Sequence, residues 1–324
     1  MSTLEPGSRA GNYEIVRLIG EGGFAAVYEA KHVHLHSQHA LKVLLPEWLR
    51  RTDMQDRFLA EGRIQAKLRH PHIVAVTDLV AEPGIAGLVL DYVEGNPIDA
   101  FWAARKKVAP LSELLSLFGQ VLEAVGFAHA HGVVHRDIKP DNVLVTKDVH
   151  GVYAVKVLDF GIAKVMDGAG AQKTRTGAIM GTPGYMSPEQ VRGGKEVGPP
   201  ADIWSLGVML YELVTGRAPF AQEDTLDQMM AIAAAKFEPV AASFGLHVQR
   251  AIAGALRVNA SERHADCEAF SKCLREVQAA AARPVAPPIV PRPEVTPPQP
   301  VAPNATGATD GADVVATVRR FSLP

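Results

Sequence analysis

Six short stretches in a set order limit this chain more than its length or composition does. They are Gly20-Glu21-Gly22-Gly23-Phe24-Ala25; Ala40-Leu41-Lys42; Glu61; His135-Arg136-Asp137-Ile138-Lys139-Pro140-Asp141-Asn142; Asp159-Phe160-Gly161; and Gly181-Thr182-Pro183-Gly184-Tyr185-Met186-Ser187-Pro188-Glu189. Taken singly, each is a weak signal. A glycine cluster between strands is most often a hairpin, a lysine on a strand is usually solvated, a glutamate in a helix is usually exposed, and a lone Asp-Phe-Gly is usually a turn. The first stretch also lacks the third glycine of a G-x-G-x-x-G loop, because Ala25 stands there. Taken together, the bland readings would all have to coincide in register.

The order of elements points the same way. Tyr13–Gly20, Val27–His34 and His39–Leu45 carry alternating or apolar runs separated by turn residues, and read as strands. Asp53 then reads as the cap of a helix whose Phe58, Ile64 and Leu68 share one face. Two further strands are predicted over Ile73–Ala81 and Ile85–Tyr92. Beyond Pro97 the pattern turns helical, with a long amphipathic helix over Leu111–His131, short strands near Val143–Thr146 and Ala154–Leu158, and helices again from Ala201 to about Ala282. Strands first and helices after imply a small β-rich lobe followed by a larger α-rich one. From Arg283 onward ten of the 23 prolines crowd a segment with few large apolar groups, so that segment is predicted to be extended and without a core.

A net charge of −2 implies no general attraction to nucleic acid. Two cysteines, Cys267 and Cys273, make no disulfide framework and fit a reducing compartment. Met1–Gly7 carries no basic region before an apolar one, and Ile203–Val214 is too short to cross a bilayer, so a cytoplasmic protein without a membrane span is expected. The run His32-Val33-His34-Leu35-His36 would put three histidines on one strand face, but no cysteine or acidic ligand completes a metal set.

The six stretches, in this order, resemble the protein kinase signature, and the chain looks like the eukaryotic-like serine/threonine kinases of bacteria. The resemblance implies an α+β, bilobal protein-kinase fold: an N-terminal extension over 1–12, a catalytic domain over 13–282 with a β-rich N-lobe (13–92) and an α-helical C-lobe (97–282), and a Pro-rich disordered tail over 283–324. It implies transfer of the γ-phosphate of ATP to serine or threonine hydroxyls of proteins, with Mg²⁺, or Mn²⁺ in its place. Asp137 would be the catalytic base and Lys139 would steady the transferring phosphate. Lys42 would hold the α- and β-phosphates, fixed by an ion pair with Glu61 that assembles only when the helix swings in and so can act as a switch. Asn142 and Asp159 would be the metal ligands, since their oxygens are hard donors suited to Mg²⁺. The flap Ile19-Gly20-Glu21-Gly22-Gly23-Phe24-Ala25-Ala26-Val27 would cover the nucleotide, with Phe24 capping its tip. Val27 and Ala40 would roof the adenine and Leu144 would floor it. Leu90, Asp91 and Val93 would line the linker, with Leu90 controlling the back pocket.

The resemblance also implies regulation. Arg136 would receive a phosphate on Thr174 or Thr176, placed there by autophosphorylation, and Thr182 would bond Asp137 and Lys139. Lys139 and Thr182 together mark the serine/threonine branch. Ser322, after Arg319-Arg320-Phe321, reads as a further autophosphorylation site, with Asp141 able to bind such arginines. Self-association would serve phosphorylation in trans. Glu189 is expected to pair with Arg263, and Asp202 to hold the catalytic-loop backbone. Two rivals remain. A non-catalytic scaffold would be favoured by loss of Lys42, Asp137, Asn142 or Asp159, and all four are present. A small-molecule phosphotransferase would lack the segment from Asp159 to Glu189, which is complete here. The proline-rich tail could itself recruit aromatic-groove domains.

Overall fold

The computed structural model describes residues 4–148, 150–160, 183–194 and 197–281. Its first half is one antiparallel sheet. Strand β1 (Arg9–Ala10) pairs with β2 (Tyr13–Glu21), which is followed by β3 (Ala25–His32), β4 (Gln38–Leu44), β5 (Val76–Glu82) and β6 (Ile85–Asp91), giving the spatial order β1-β2-β3-β4-β6-β5. The predicted strands are all present, displaced by a few residues at their ends. The two-residue β1 and the four-residue helix α1 (Pro46–Leu49) are too short for periodicity to reveal.

Alternation along β3 sorts its side chains onto two faces. Phe24 and Ala25 enter a cluster with Leu44, Phe58, Leu88 and Leu90, beneath helix α2 (Thr52–Gln65). Ala26, Tyr28 and Ala30 enter another with Ile15, Leu41 and Val89. Helix α2 differs from the expectation in two ways. Asp53 is not its cap: the flanking residue is Arg51, and Asp53 lies in the first turn with its carboxylate 3.1 Å from the Arg51 guanidinium. The free N–H groups of a first turn favour a carboxylate there. Ile64 is 38% exposed, and the buried face is Met54, Phe58, Leu59, Gly62 and Gln65. Gly62 sets that rotation, because a methyl group at this position would overlap the side chain of Leu88 on β6.

After β7 (Asn96–Pro97) and α3 (Ile98–Arg105) comes α4 (Leu111–Ala130), whose Leu114, Phe118, Val121, Leu122 and Val125 lie in the large helical core as expected. By length and composition α4 could cross a bilayer, but these side chains pack in the core. Strands β8 (Val143–Lys147) and β9 (Tyr153–Val157) form a small sheet with β7. The short helix α5 (Pro188–Val191) leads to α6 (Pro199–Thr215), where every residue from Ala201 to Val214 except Glu212 is buried. A helix apolar on all sides belongs at the centre of a domain, and α7 (Thr225–Ala233), α8 (Leu246–Ala255) and α9 (Cys267–Ala281) follow it. Among the described residues two backbone bonds join the halves: Val74 N–H donates to Val157 C=O at 2.9 Å, and Val157 N–H to His72 C=O at 2.8 Å.

Candidate active site

The loop that follows α4 is built around one carboxylate. Asp202, fully buried in the first turn of α6, accepts from the backbone N–H of His135 (2.8 Å), the backbone N–H of Arg136 (2.7 Å) and Nε2 of His129 (2.7 Å). Charge-assisted bonds of this length are the strong ones, and the dipole of α6 favours a negative charge at its start. This is the contact expected for Asp202. Gln190 Nε2 donates to the carbonyl of Arg136 at 3.1 Å. Arg136 is therefore gripped at both backbone groups, in a left-handed conformation (φ 69°) that costs a non-glycine residue free energy.

Gln190 reaches that carbonyl because Ser187 caps α5. The Ser187 hydroxyl accepts from Gln190 N–H, and the Gln190 side chain accepts from Ser187 N–H, a complete capping box. The spacing Ser-x-x-Gln is itself the sequence signal of such a box. Glu189, beside it, forms a bidentate pair with Arg263 (2.8 and 2.7 Å), as expected. Burial alone would raise the Glu189 carboxyl, but the guanidinium outweighs it and holds the group below its usual range.

His135 is fully buried and orders the next residues. Its Nδ1 accepts from Asp137 N–H (3.3 Å) and its Nε2 meets the Leu158 carbonyl (2.7 Å), which assigns the proton to Nε2. The ring packs on Phe160 with centroids 4.7 Å apart. Asp137 points to solvent with a side chain 46% exposed. Its Oδ2 lies 3.1 Å from Lys139 Nζ and 3.1 Å from Asn142 Nδ2, and Asn142 also donates to the Asp137 carbonyl at 2.7 Å. The amide nitrogen of Asn142 is thus committed to Asp137, which leaves its oxygen as the donor.

Across the cleft, Lys42 Nζ lies 2.8 Å from Asp159 Oδ1. Among the described residues the ion pair of Lys42 is made to Asp159, while Glu61, its expected partner once the helix swings in, sits half-buried on α2. Burial would raise the Asp159 carboxyl, but Lys42, with further help from His135 and Lys139, holds it below its ordinary value. The pair therefore contributes stability above about pH 4 and loses it as pH falls through that lowered value. Asp159 also has positive φ, at 60°.

The flap lies between β2 and β3. None of Gly20, Gly22, Gly23 and Ala25 has positive φ. Gly22 N–H donates to Ala25 C=O at 2.9 Å, and Trp48 Nε1 donates to Gly23 C=O at 2.9 Å. Phe24 does not cap the tip. It is 6% exposed, turned inward against Trp48 (5.5 Å) and Phe58 of α2 (6.0 Å). Ile19 remains 46% exposed, Glu21 is also exposed, and Val27, Ala40 and Leu144 are half-buried. Ala40 pairs with Leu90 across β4 and β6, Asp91 is exposed, and Val93 packs on the α2-side cluster. Ala26 faces the opposite cluster, so only its backbone can meet a ligand in the cleft.

The arrangement fits the expected ligands. Among the described residues no group of three or more His, Cys, Asp or Glu could hold a metal. The two oxygen donors of Asn142 and Asp159 suit a Mg²⁺ ion that keeps water and phosphate oxygens as its other ligands. In the histidine run, His32 Nδ1 already accepts from the N–H groups of His34 and Leu35. Thr174, Thr176, Thr182 and Ser322 lie outside the described residues.

Residues 13–276 match the family described as the protein kinase domain. The serine/threonine-protein kinase Pkn1 of Myxococcus xanthus is 37% identical over 272 residues, which are 83% of this chain and 38% of that protein. PknA of Mycobacterium tuberculosis, also a serine/threonine-protein kinase, is 36% identical over 294 residues, 89% of this chain and 65% of the relative. PrkC of Bacillus subtilis is 38% identical over 217 residues, 67% of this chain and 32% of its own length. The chain thus spans from about a third to under two thirds of these relatives. The crystal structure of the Mycobacterium tuberculosis PknI kinase domain aligns with a TM-score of 0.64 at 26% identity, covering 85% of this chain and 99% of the other.

Proposed function

The chain belongs to the protein kinase family, of the bacterial eukaryotic-like serine/threonine type, and on that premise we propose that it transfers the γ-phosphate of ATP to serine and threonine hydroxyls of proteins. The observation that carries the proposal is the Asp137 carboxylate, exposed to an incoming hydroxyl yet fixed by Lys139 and Asn142. Phosphoryl transfer asks little covalent help of a protein and depends on positioning and charge neutralisation.

In this reading Asp137 orients the substrate hydroxyl and accepts its proton. Lys139, already beside that carboxylate, turns to the transferring phosphoryl oxygens. Lys42 neutralises the α- and β-phosphates, and its present hold on Asp159 keeps both charges in the cleft. Asn142 Oδ1 and Asp159 would hold Mg²⁺, which supplies positive charge at the phosphates when bound. His135 keeps the Leu158 carbonyl and the Asp137 N–H in register, so both carboxylates are set from one ring. Burial and the hydrogen bond from the Tyr185 hydroxyl to Glu212 raise that hydroxyl, with the charges of Asp99 and Asp141 adding to them. Phosphate on Thr174 or Thr176, answered by Arg136, would be the activating event.

Asp137→Asn should lower kcat by about 10²–10⁴-fold, the range of a general base. It should leave the melting temperature unchanged, because the side chain is half-exposed. Transfer of labelled γ-phosphate to a basic protein measures the first and a thermal melt the second. Undiminished transfer by the variant would overturn the assignment.

A further inference from the structure

Glu29 stands in the middle of β3 and is 7% exposed. A buried carboxylate is costly unless it is paired and hydrogen-bonded. Alternation sets Glu29 on the same sheet face as Val27, and its register partner on β4 is Ala40. Those two residues are the expected roof of the adenine site, and an apolar side chain would be the ordinary choice beside them.

The charge is held by groups from three other segments. Arg17 Nε on β2 lies 2.7 Å from Glu29 Oε2. Tyr92, in the linker after β6, donates its hydroxyl to the same oxygen at 3.5 Å and accepts from Arg17 Nη2 at 3.3 Å. Gln38 Nε2 on β4 donates to Glu29 Oε1 at 3.3 Å. Arg17, Glu29 and Tyr92 thus bond one another in a closed triangle. A bulge in β2 aims Arg17 into it. Ile15 pairs with Ala30, and the next pair is Arg17 with Glu29, so Val16 is passed over. In an unbroken ladder Val16 would face Glu29, whereas here it is 44% exposed. The same row of the sheet runs on from Glu29 to Ala40 and from Ala40 to Leu90, two residues before Tyr92. The triangle therefore joins the flap strands to the linker across the row that carries Ala40 and Leu90.

We propose that Glu29 and Tyr92 are positioning residues: with Arg17 they clasp the flap strands to the linker and fix the spacing between the adenine roof and the linker backbone. The consequence for the nucleotide rests on the kinase reading, and the clasp rests on geometry alone. A slot held open at the right width spares the nucleotide the cost of ordering it.

Glu29→Leu removes the charge and keeps the bulk, while Tyr92→Phe removes only the hydroxyl. Calorimetric titration of the full chain with ADP reads the slot without turnover. The Kd should rise about fivefold in the first variant and about threefold in the second, the scale of one hydrogen bond. The double variant should match Glu29→Leu within about twofold, because the hydroxyl acts through the carboxylate. The melting temperature of Glu29→Leu should not fall, since an apolar residue often replaces a buried ion pair without loss. Hydrogen–deuterium exchange without nucleotide should quicken over residues 91–94 and stay unchanged in α4 and α6. In the transfer assay the KM for ATP should rise by the same factors while kcat and the KM for protein substrate hold. Unchanged ADP affinity, losses that multiply in the double variant, or a fall in kcat at constant KM would overturn the proposal. If Glu29→Leu does not fold, Tyr92→Phe decides alone by the same criteria of affinity and exchange. A parent chain that binds ADP yet transfers no phosphate would remove the kinase reading and leave the clasp standing. A parent chain that binds no ADP would overturn the role of the clasp toward adenine.

Discussion

Arg136 and Gly23 are each held through the backbone by side chains from other elements, yet the two grips differ in kind. Arg136 is bonded at its N–H by Asp202 and at its carbonyl by Gln190, from two helices, one of them buried from Ala201 to Val214 save Glu212. Gly23 is bonded only at its carbonyl in the bonds seen here, by the indole of Trp48 on a four-residue helix at the surface. The first arrangement over-determines a strained conformation and so keeps it. The second leaves a strand turn that can lift. A site that must orient a hydroxyl to within a fraction of an ångström, and also admit and release a nucleotide, needs both kinds of support.

The comparison breaks most visibly if the buried grip is removed. Asp202→Ala strips the acceptor from two buried backbone N–H groups and from His129 at once. Each orphaned donor carries its own desolvation cost, and together they should reduce stability by about 3–5 kcal/mol, on the scale of a broken buried charge network. Urea unfolding measures it. Transfer activity below the unfolding range should fall as well, since His135 and Asp137 follow from the same loop. A loss under about 1 kcal/mol, the net worth of a single ordinary hydrogen bond, would mean that water replaces the carboxylate and that the loop is not over-determined.

The softer grip is tested by Trp48→Phe, which keeps a ring against Phe24 and removes the bond to Gly23. About 1 kcal/mol is the net value of such a bond. Spent on the flap, it should appear as a roughly fivefold rise in the KM for ATP with kcat unchanged, the signature of lost ground-state binding. A fall in kcat of the same size would show that the flap also takes part in the transition state, and would erase the division between a rigid floor and a movable roof.

These contrasts were unevenly legible beforehand. The order of the chemical residues was legible because phosphoryl transfer fixes residue types, the strands β2 to β6 because their apolar or alternating runs end at turn residues, and α4 because it buries one face. What stayed hidden depends on which distant element arrives. Phe24 reads as a flap tip until Phe58 and Trp48 are seen beneath it. Ile64 reads as part of the buried face until Gly62 is seen to bring α2 against Leu88 of β6, which exposes it. Lys42 is expected to pair with Glu61 when the helix swings in, and in this structure it pairs with Asp159. The Ser187–Gln190 box was a local signal and could have been found, whereas its target, the Arg136 carbonyl, could not.

The smallest expected effect concerns Ala25, where a third glycine would complete the loop pattern. If that position needed positive φ, alanine would strain the flap and glycine would relax it by about 1–2 kcal/mol. Ala25 instead has ordinary strand geometry: it pairs with Leu44 and turns its methyl group into the cluster under α2. Glycine there would gain no permitted conformation that the chain uses, would lose the buried methyl, and would raise the entropy lost on folding, for a net destabilisation of about 0.5–1 kcal/mol. Ala25→Gly should therefore lower the melting temperature by one to a few degrees, about what that free energy gives in a domain of this size, and change ATP affinity less than about twofold. Tighter binding with raised stability would mean that the nucleotide-bound flap adopts a backbone that the free one does not. The soft side of the cleft would then be strained by its ligand, and the strain that Arg136 and Asp159 hold permanently would have a transient counterpart across from them.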